Sequence, residues 1–325
     1  MSSPYQGSKV LITGAAGFIG SHLTDTLLSL GAEVLGVDNF ITGRRENIAH
    51  LDGNDAFNLI EADASHPPVS YLPDEYVPEY VFHLASPASP PRYQAKPIET
   101  YLVCSMGTHH LLQLLLERNP QATFVYASTS EVYGDPLEHP QKESYWGNVN
   151  PNGPRSCYDE AKRMGETICG VHQREFGMDV RIVRIFNTYG PRMDPEDGRV
   201  IPNLSLQALK NVPFTIYGDG TQTRSYCFVD DLVAGFEAMG SVAAARNQTI
   251  NLGNPGEFTI NETLAVLKDL TGSTESVTHH PLPPDDPTRR QPDITKAKEI
   301  LGWEPTVSLQ DGMKLTLPYF KQFLE

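Results

Sequence analysis

Cysteine is scarce in this chain. Cys104, Cys157, Cys169 and Cys227 are the only four in 325 residues, and none forms a CxxC pair or a Cys/His spacing suited to a metal. That excludes a disulfide-stapled scaffold and a zinc module, and predicts reduced thiols, no metal and a cytoplasmic setting. Cys157 stands beside Tyr158, in position to line a pocket without acting as a nucleophile. Long apolar runs are also missing: none approaches the ~18 residues of a membrane span. The opening residues, Met1-Ser2-Ser3-Pro4-Tyr5-Gln6, have neither a basic nor an apolar leader region. Positive charge is in deficit too, with 25 Lys and Arg against 40 Asp and Glu and a formal net charge of -15. A field that negative argues against nucleic acid or an anionic membrane as partner. An anionic substrate would need local Arg and Lys to overcome it.

What remains is an ordinary globular composition, 39% hydrophobic and 20% charged, enough for one large domain and a smaller one. Lys9-Val10-Leu11-Ile12-Thr13 reads as a strand running into Gly14-Ala15-Ala16-Gly17-Phe18-Ile19-Gly20. A helix is predicted from Ser21 to Leu30, stopped by Gly31. Strand, glycine turn and helix in this order suit a dinucleotide. The glycines allow a tight turn and close backbone approach, and the helix N-terminus offers free N–H groups to the pyrophosphate. Alone, such a glycine turn is weak evidence.

The second predicted strand, Glu33–Val37, strengthens it by ending on Asp38, 18 residues beyond Gly20. A carboxylate there accepts both hydroxyls of an adenosine ribose and repels a 2′-phosphate, which favours NAD over NADP. Arg44 and Arg45 are placed only to flank the adenine. Further strands are predicted at Phe57–Asp63, with Asp63 toward the adenine edge, at Tyr80–Ala85 and at Ala122–Ala127. A helix over about 100–118 precedes the last of these, with apolar spacing suited to core packing or a dimer face.

That last strand delivers Thr129-Ser130-Glu131. Downstream, Tyr158 and Lys162 are four residues apart and share one helix face. A lysine beside a phenol favours the phenolate, so the pair can take a hydroxyl proton while hydride leaves the same carbon. Thr129 can hydrogen-bond that hydroxyl.

The glycine turn, the acidic second strand and the Tyr-x-x-x-Lys pair together resemble the extended short-chain dehydrogenase/reductase family that modifies nucleotide sugars. The resemblance covers nearly the whole chain. It implies an α/β fold, a Rossmann-type doubly wound parallel sheet with a smaller C-terminal α/β substrate-binding domain. The expected division is 1–186 for NAD and the Tyr/Lys helix and 187–325 mainly for the UDP-sugar, with some chain returning to the first part.

Within the family, dehydratases carry Thr-Asp-Glu at the strand end, and C4 epimerases carry small hydroxyl residues without the Glu. Thr129-Ser130-Glu131 keeps the Glu and lacks the Asp that protonates a departing hydroxyl. This resembles the UDP-glucuronate decarboxylases (UDP-xylose synthases), as do His83–Pro91, Tyr145–Pro151, Arg155–Glu160 and Arg184–Met193. The implied reaction oxidises C4, loses CO₂ from the resulting β-keto acid, protonates C5 and returns hydride to C4. Protonation at C5 would involve Glu131 directly or through water.

The resemblance also implies the site. Thr129, Ser130, Glu131, Tyr158, Lys162 and Arg290 would be catalytic. NAD, tightly bound and recycled, would contact Gly14, Gly17, Phe18, Ile19 and Gly20, then Asp38, Asn39, Phe40, Thr42 and Gly43. Asp63, Ala64, Leu84, Ala85, Ser86, Thr100, Ala127, Tyr158 and Lys162 would complete that set. The UDP-sugar would contact Pro87, Tyr93, Glu131, Asn187, Arg192, Arg199, Tyr217, Gln222, Arg224 and Arg290. Arg290, in the run Asp285–Ile294, would meet the substrate carboxylate or diphosphate, and Trp303 would pack as structure.

Two departures stand out. Cys104 takes the place of a site-ordering Asn, and Glu99 that of a Lys. Competing readings are release of the 4-keto pentose with NADH, C4 epimerisation of UDP-glucuronate, and a non-catalytic NAD sensor. A homodimer through the helices near 100–118 and 158–176 is also implied.

Overall fold

The computed structural model describes residues 3–282 and 289–324. The alternation is laid down early: β1 (Lys9–Thr13), α1 (Phe18–Ser29), β2 (Glu33–Asp38), β3 (Phe57–Glu61) and β4 (Tyr80–His83) follow one another much as the sequence predicts. Then come α2 (Pro90–Ala95), α3 (Pro97–Leu102), α4 (Thr108–Arg118), β5 (Thr123–Thr129), α5 (Ser156–Phe176) and β6 (Asp179–Ile185).

With β11 (Thr249–Leu252), which returns from the later part of the chain, these strands form a seven-stranded sheet ordered β11-β6-β5-β4-β1-β2-β3. Every pairing in it is parallel. Alternation along β1 decides the packing. Val10 and Ile12 join the core containing Leu23, Phe82 and Phe236, whereas Leu11 points to the opposite face, against Leu111, Leu115 and Phe124. Strand order reverses between β4 and β1–β2, so a crevice opens at the C-terminal ends of β1 and β4, where ligands of open α/β sheets bind.

The later part of the chain is smaller in its sheets. β7 (Thr188–Tyr189) pairs with β10 (Cys227–Phe228), β8 (Phe214–Tyr217) with β13 (Val277–His280), and β9 (Thr223–Ser225) with β12 (Glu257–Thr259). Between and after these lie α6 (Val200–Lys210), α7 (Val229–Ser241), α8 (Ile260–Thr271), α9 (Thr295–Leu301) and α10 (Leu309–Lys321). Trp303 is buried and donates its indole N–H to the Asp231 carbonyl at 2.8 Å, a packing role as expected. Among the described residues, no helix is long and apolar enough to cross a membrane.

Two elements differ from expectation. α1 begins at Phe18 rather than Ser21, because Gly17 already caps it and its carbonyl accepts the Ser21 N–H at 3.0 Å. The helix predicted over 100–118 starts earlier, on Pro97, a residue suited to a first helical position. It is then interrupted by a π turn at Val103–Gly107. Widening the turn aims the Cys104 carbonyl at the Thr108 hydroxyl (2.7 Å) and the Tyr126 hydroxyl (3.5 Å). Such turns often mark functional sites.

Candidate active site

The glycine loop is built by close backbone approach. Gly14 has φ +78°, and a Cβ there would lie 2.9 Å from the Ala85 nitrogen. A side chain on Gly20 would overlap the Gly14 carbonyl. Asp38 ends β2 buried, with one carboxylate oxygen accepting the Ala16 N–H at 2.9 Å and the other the Phe40 N–H at 2.8 Å. Burial raises its pKa against these backbone donors. A Cβ on Gly43 would sit 2.6 Å from the same carboxylate, so glycine there keeps the ribose side of Asp38 open.

A small cavity of about 60 Å³ at this end is lined by Asp38, Asn39, Thr42, Gly43, Asp63, Ala64, Ala85 and Pro87. It shares Gly14, Gly17, Thr42, Leu84 and Ser86 with a cavity of about 670 Å³ that also takes in Phe18, Ile19, Gly20 and Ala127. Space for the adenosine end thus joins space for the reacting end, and the residues fit a dinucleotide. Two expected contacts line neither cavity. Thr100 is buried, its hydroxyl donating to the Lys96 carbonyl at 2.7 Å, and Phe40 lies under the Arg45 guanidinium, 4.1 Å from the ring centre. Arg45 also pairs with Glu61 and Arg44 with Glu46, so neither arginine is committed to a phosphate.

The larger cavity gathers Thr129, Ser130, Glu131, Tyr158, Lys162 and Arg290. Thr129 ends β5, opposite Ile185 of β6, and its hydroxyl accepts the Glu131 N–H at 3.2 Å and bonds Tyr158. Tyr158 stacks on Tyr93, with centroids 4.9 Å apart and planes 2° from parallel. The expected lowering of the Tyr158 pKa is reversed. Burial raises it, and the hydrogen bond with Thr129 and the charge of Arg199 oppose.

The reason is the direction of Lys162. Its Nζ donates to the Ala127 carbonyl at 2.7 Å and bonds the Cys104 side chain, lying 5.8 Å from the Tyr158 ring centre. Burial lowers its own pKa. Cys104 does not leave a gap where an Asn was expected, because its thiol contacts Lys162 and lies 3.3 Å from the Ser86 hydroxyl.

Glu131 is clamped. Arg290 and Arg155 each donate to a different carboxylate oxygen, and Arg290 adds the Ser130 hydroxyl at 3.4 Å and the Gly134 carbonyl at 3.2 Å. Burial would raise the Glu131 pKa, but the two guanidiniums overcome it and hold the carboxyl at about 2. Arg290 reaches this point because its segment is strapped down. Gln141 N–H donates to the Gln291 carbonyl and Gln291 N–H to the Gln141 side chain, both at 2.9 Å. The Asn251 side chain donates to Gln141 and Asp293 carbonyls. The preceding residues, Asp285–Thr288, lie outside the described residues.

Arg155 is a site residue that sequence reasoning missed, its one signal being its place three residues before Tyr158. Asp159, also buried, approaches Arg155 at 3.9 Å.

On the substrate side, Tyr93, Asn187, Arg192, Arg199, Tyr217, Gln222 and Arg224 all line the larger cavity, while Pro87 lines the smaller. Arg199 is held by Asp197 (2.5 and 2.8 Å) and Arg192 by Asp25 at 2.7 Å. Arg224 donates to the Thr223 carbonyl at 2.8 Å, and the Gln222 amide to the Tyr217 carbonyl at 2.5 Å. Residues 10–253 match the family model described as the NAD dependent epimerase/dehydratase family.

The chain belongs to that family, on the branch of the UDP-glucuronic acid decarboxylases. It is 48% identical over 316 residues to UDP-glucuronic acid decarboxylase 1 of Arabidopsis thaliana, covering 96% of this chain and 70% of that one. The Xenopus tropicalis protein of the same name is 48% identical over 317 residues, with 98% and 73% covered. Among solved structures, the UDP-glucuronic acid 4-epimerase of Bacillus cereus, in complex with UDP-glucuronic acid and NAD, superposes with a TM-score of 0.84. It is 31% identical, over 97% of this chain and 99% of its own. Proteins named as decarboxylases and as an epimerase are thus both similar to this chain.

Proposed function

We propose that this protein decarboxylates UDP-glucuronate to UDP-xylose, with the named catalytic, NAD-contacting and UDP-sugar-contacting residues in the roles set out above. The observation that carries the reading is Glu131 held between Arg155 and Arg290 beside Thr129 and Tyr158. NAD, when bound, supplies the hydride acceptor and the later hydride donor. Tyr158 takes the proton of the C4 hydroxyl only as the phenolate, so it must first be deprotonated against the burial that raises its pKa, while Thr129 fixes that hydroxyl. Oxidation at C4 places a ketone β to the carboxylate, and the C5–C6 electron pair then flows into the ketone as CO₂ departs. Arg290 orients the carboxylate before this step, and planar guanidinium donors suit it. Ser130 is too weak an acid to expel a hydroxyl, so dehydration does not compete. C5 gains one proton from solvent, which balances the reaction.

Incubation with UDP-glucuronate and NAD⁺ tests this directly. CO₂ and UDP-xylose are expected without net NADH. A UDP-hexuronate product without CO₂ would favour the epimerase reading that the Bacillus cereus likeness keeps in view. A keto-pentose accumulating with NADH would mean an incomplete cycle.

A homodimer is part of the same proposal. Tyr101 and Met106 near the start of α4, and Met164, Val171 and Phe176 on α5, are large apolar side chains at least 39% exposed, an uncommon density for a free surface. The four cysteines are unpaired, which suits a reducing compartment such as the cytoplasm. Light scattering on the purified protein reads the oligomeric state.

A further inference from the structure

One residue grouped above with the UDP-sugar contacts stands against the dinucleotide cradle. Arg192 follows β7, and the turn it occupies is fastened to α1 and the glycine loop. The His22 side chain on α1 donates to the Pro191 carbonyl at 3.0 Å, and the Arg192 guanidinium pairs with Asp25, also on α1, at 2.7 Å. The buried Asn47 amide donates both to the Ala16 carbonyl in the glycine loop, at 3.0 Å, and to the Arg192 carbonyl, at 3.4 Å.

Two observations single this arginine out. Its φ is +65°, in the left-handed region that a residue with a Cβ enters only at a cost, and such strain collects at functional sites. Its Nη1 is sealed from solvent with no hydrogen-bond partner among the described residues, although the side chain as a whole is 23% exposed. A buried guanidinium N–H without an acceptor is costly, the more so because the group is charged. The carboxylates nearby are already engaged. Asp25 divides its oxygens between Arg192 Nη2 and His50, Asp194 holds Arg92 at 2.6 Å, and Glu46 pairs with Arg44 at 3.6 Å. Arg44 itself lies over the Phe323 ring, 4.9 Å from its centre. Arg192 lines the same cavity as the glycine-loop residues Gly14, Gly17 and Phe18.

We infer that Arg192 is a ligand of the dinucleotide's diphosphate, supplied by the later part of the chain to complement the N–H groups at the start of α1. This moves Arg192 alone from the sugar side to the cofactor. With Nη2 fixed on Asp25 the planar fork is aimed in advance, so Nη1 gains a charge-assisted hydrogen bond to a phosphate oxygen with little further ordering. The left-handed turn is what brings the guanidinium back onto α1, which gives its strain a purpose. The inference needs bound NAD and not decarboxylation, so it goes beyond the decarboxylase reading and holds equally for an epimerase on this fold.

Isothermal titration of the full chain freed of NAD tests it, with ADP-ribose as the diphosphate-bearing probe and UDP as the control for the sugar side. Arg192→Ala should weaken ADP-ribose about 10- to 100-fold, the loss of a charge-assisted hydrogen bond to an anion, and leave UDP within about twofold. On the NAD-loaded enzyme, bound NAD should exchange with labelled NAD⁺ faster by a similar factor. Weaker UDP with unchanged ADP-ribose overturns the inference and returns Arg192 to the sugar. Equal loss of both ligands also overturns it, since that marks a general collapse of the cavity. Should Arg192→Ala not fold, Arg192→Lys decides. A compact ammonium lacks the fork that holds Asp25 and a phosphate together, so ADP-ribose should still weaken about fivefold or more. Unchanged ADP-ribose affinity in that variant overturns the inference. A protein that binds ADP-ribose through Arg192 yet releases no CO₂ from UDP-glucuronate sinks the decarboxylase reading and leaves this one standing.

Discussion

The NAD cradle and the Glu131 clamp are built on opposite principles. The cradle is mostly backbone: Gly14 and Gly20 exist to let main-chain atoms approach, and the Asp38 carboxylate is fixed by N–H groups of Ala16 and Phe40, all within the first 43 residues. The clamp is made of side chains from three places, Glu131 after β5, Arg155 at the start of α5, and Arg290 near the end of the chain. The clamp is a cluster of opposite charges, so a change at Glu131 is felt by both guanidiniums. The first region depends on local backbone geometry and the second on contacts between distant segments.

The largest effect should come where the two regions meet. Tyr158→Phe removes the acid–base group while leaving its stacking on Tyr93, and turnover should fall about 10³-fold with NAD binding retained. Steady-state CO₂ release alongside NAD titration checks both halves. Next, Glu131→Ala leaves Arg155 and Arg290 facing each other without their shared anion. Turnover should drop about 10²-fold or more, and chemical denaturation should show a loss of about 3 kcal/mol. Unchanged turnover would remove Glu131 from the mechanism.

Breaking the cradle should look different. Gly20→Ala places a methyl against the Gly14 carbonyl, and weaker NAD binding with about 2 kcal/mol lost stability is expected, read by cofactor retention and melting. Acid offers a milder probe of the clamp. The folded Glu131 carboxyl lies at about 2 against an ordinary 4.5, so its stabilisation is complete above pH 4.5 and fades as pH falls toward 2. Asp159 runs the other way, its raised pKa costing stability as pH climbs from 3.8 toward 7. Urea midpoints for Glu131→Gln and Asp159→Asn against wild type separate the two slopes. The smallest effect belongs to Arg45→Ala, whose ion pair with Glu61 is more than 60% exposed on both sides. It should cost under about 1 kcal/mol and leave NAD affinity nearly unchanged.

Much of this is legible in the sequence. The glycine turn, β2 ending on Asp38, and Tyr158 four residues before Lys162 are local patterns whose geometry follows from the period of strand or helix. Trp303 read correctly as packing for the same reason of context. Three features were not legible. The π turn at Val103–Gly107 depends on what lies opposite Cys104, namely Tyr126 and Lys162. The direction of the Tyr158 shift depends on where Lys162 points, and it points to the Ala127 carbonyl. The role of Arg155 depends on Glu131, 24 residues away in sequence.

By itself, then, the sequence determined the alternating α/β order, the dinucleotide loop and the spacing of the candidate Tyr158/Lys162 pair, because each is encoded within a few residues. Tertiary structure alone decided that Glu131 is shared by two guanidiniums and that Asp159 is buried behind them. Charge balance and desolvation are set by neighbours in space, and those neighbours come from segments up to 159 residues apart.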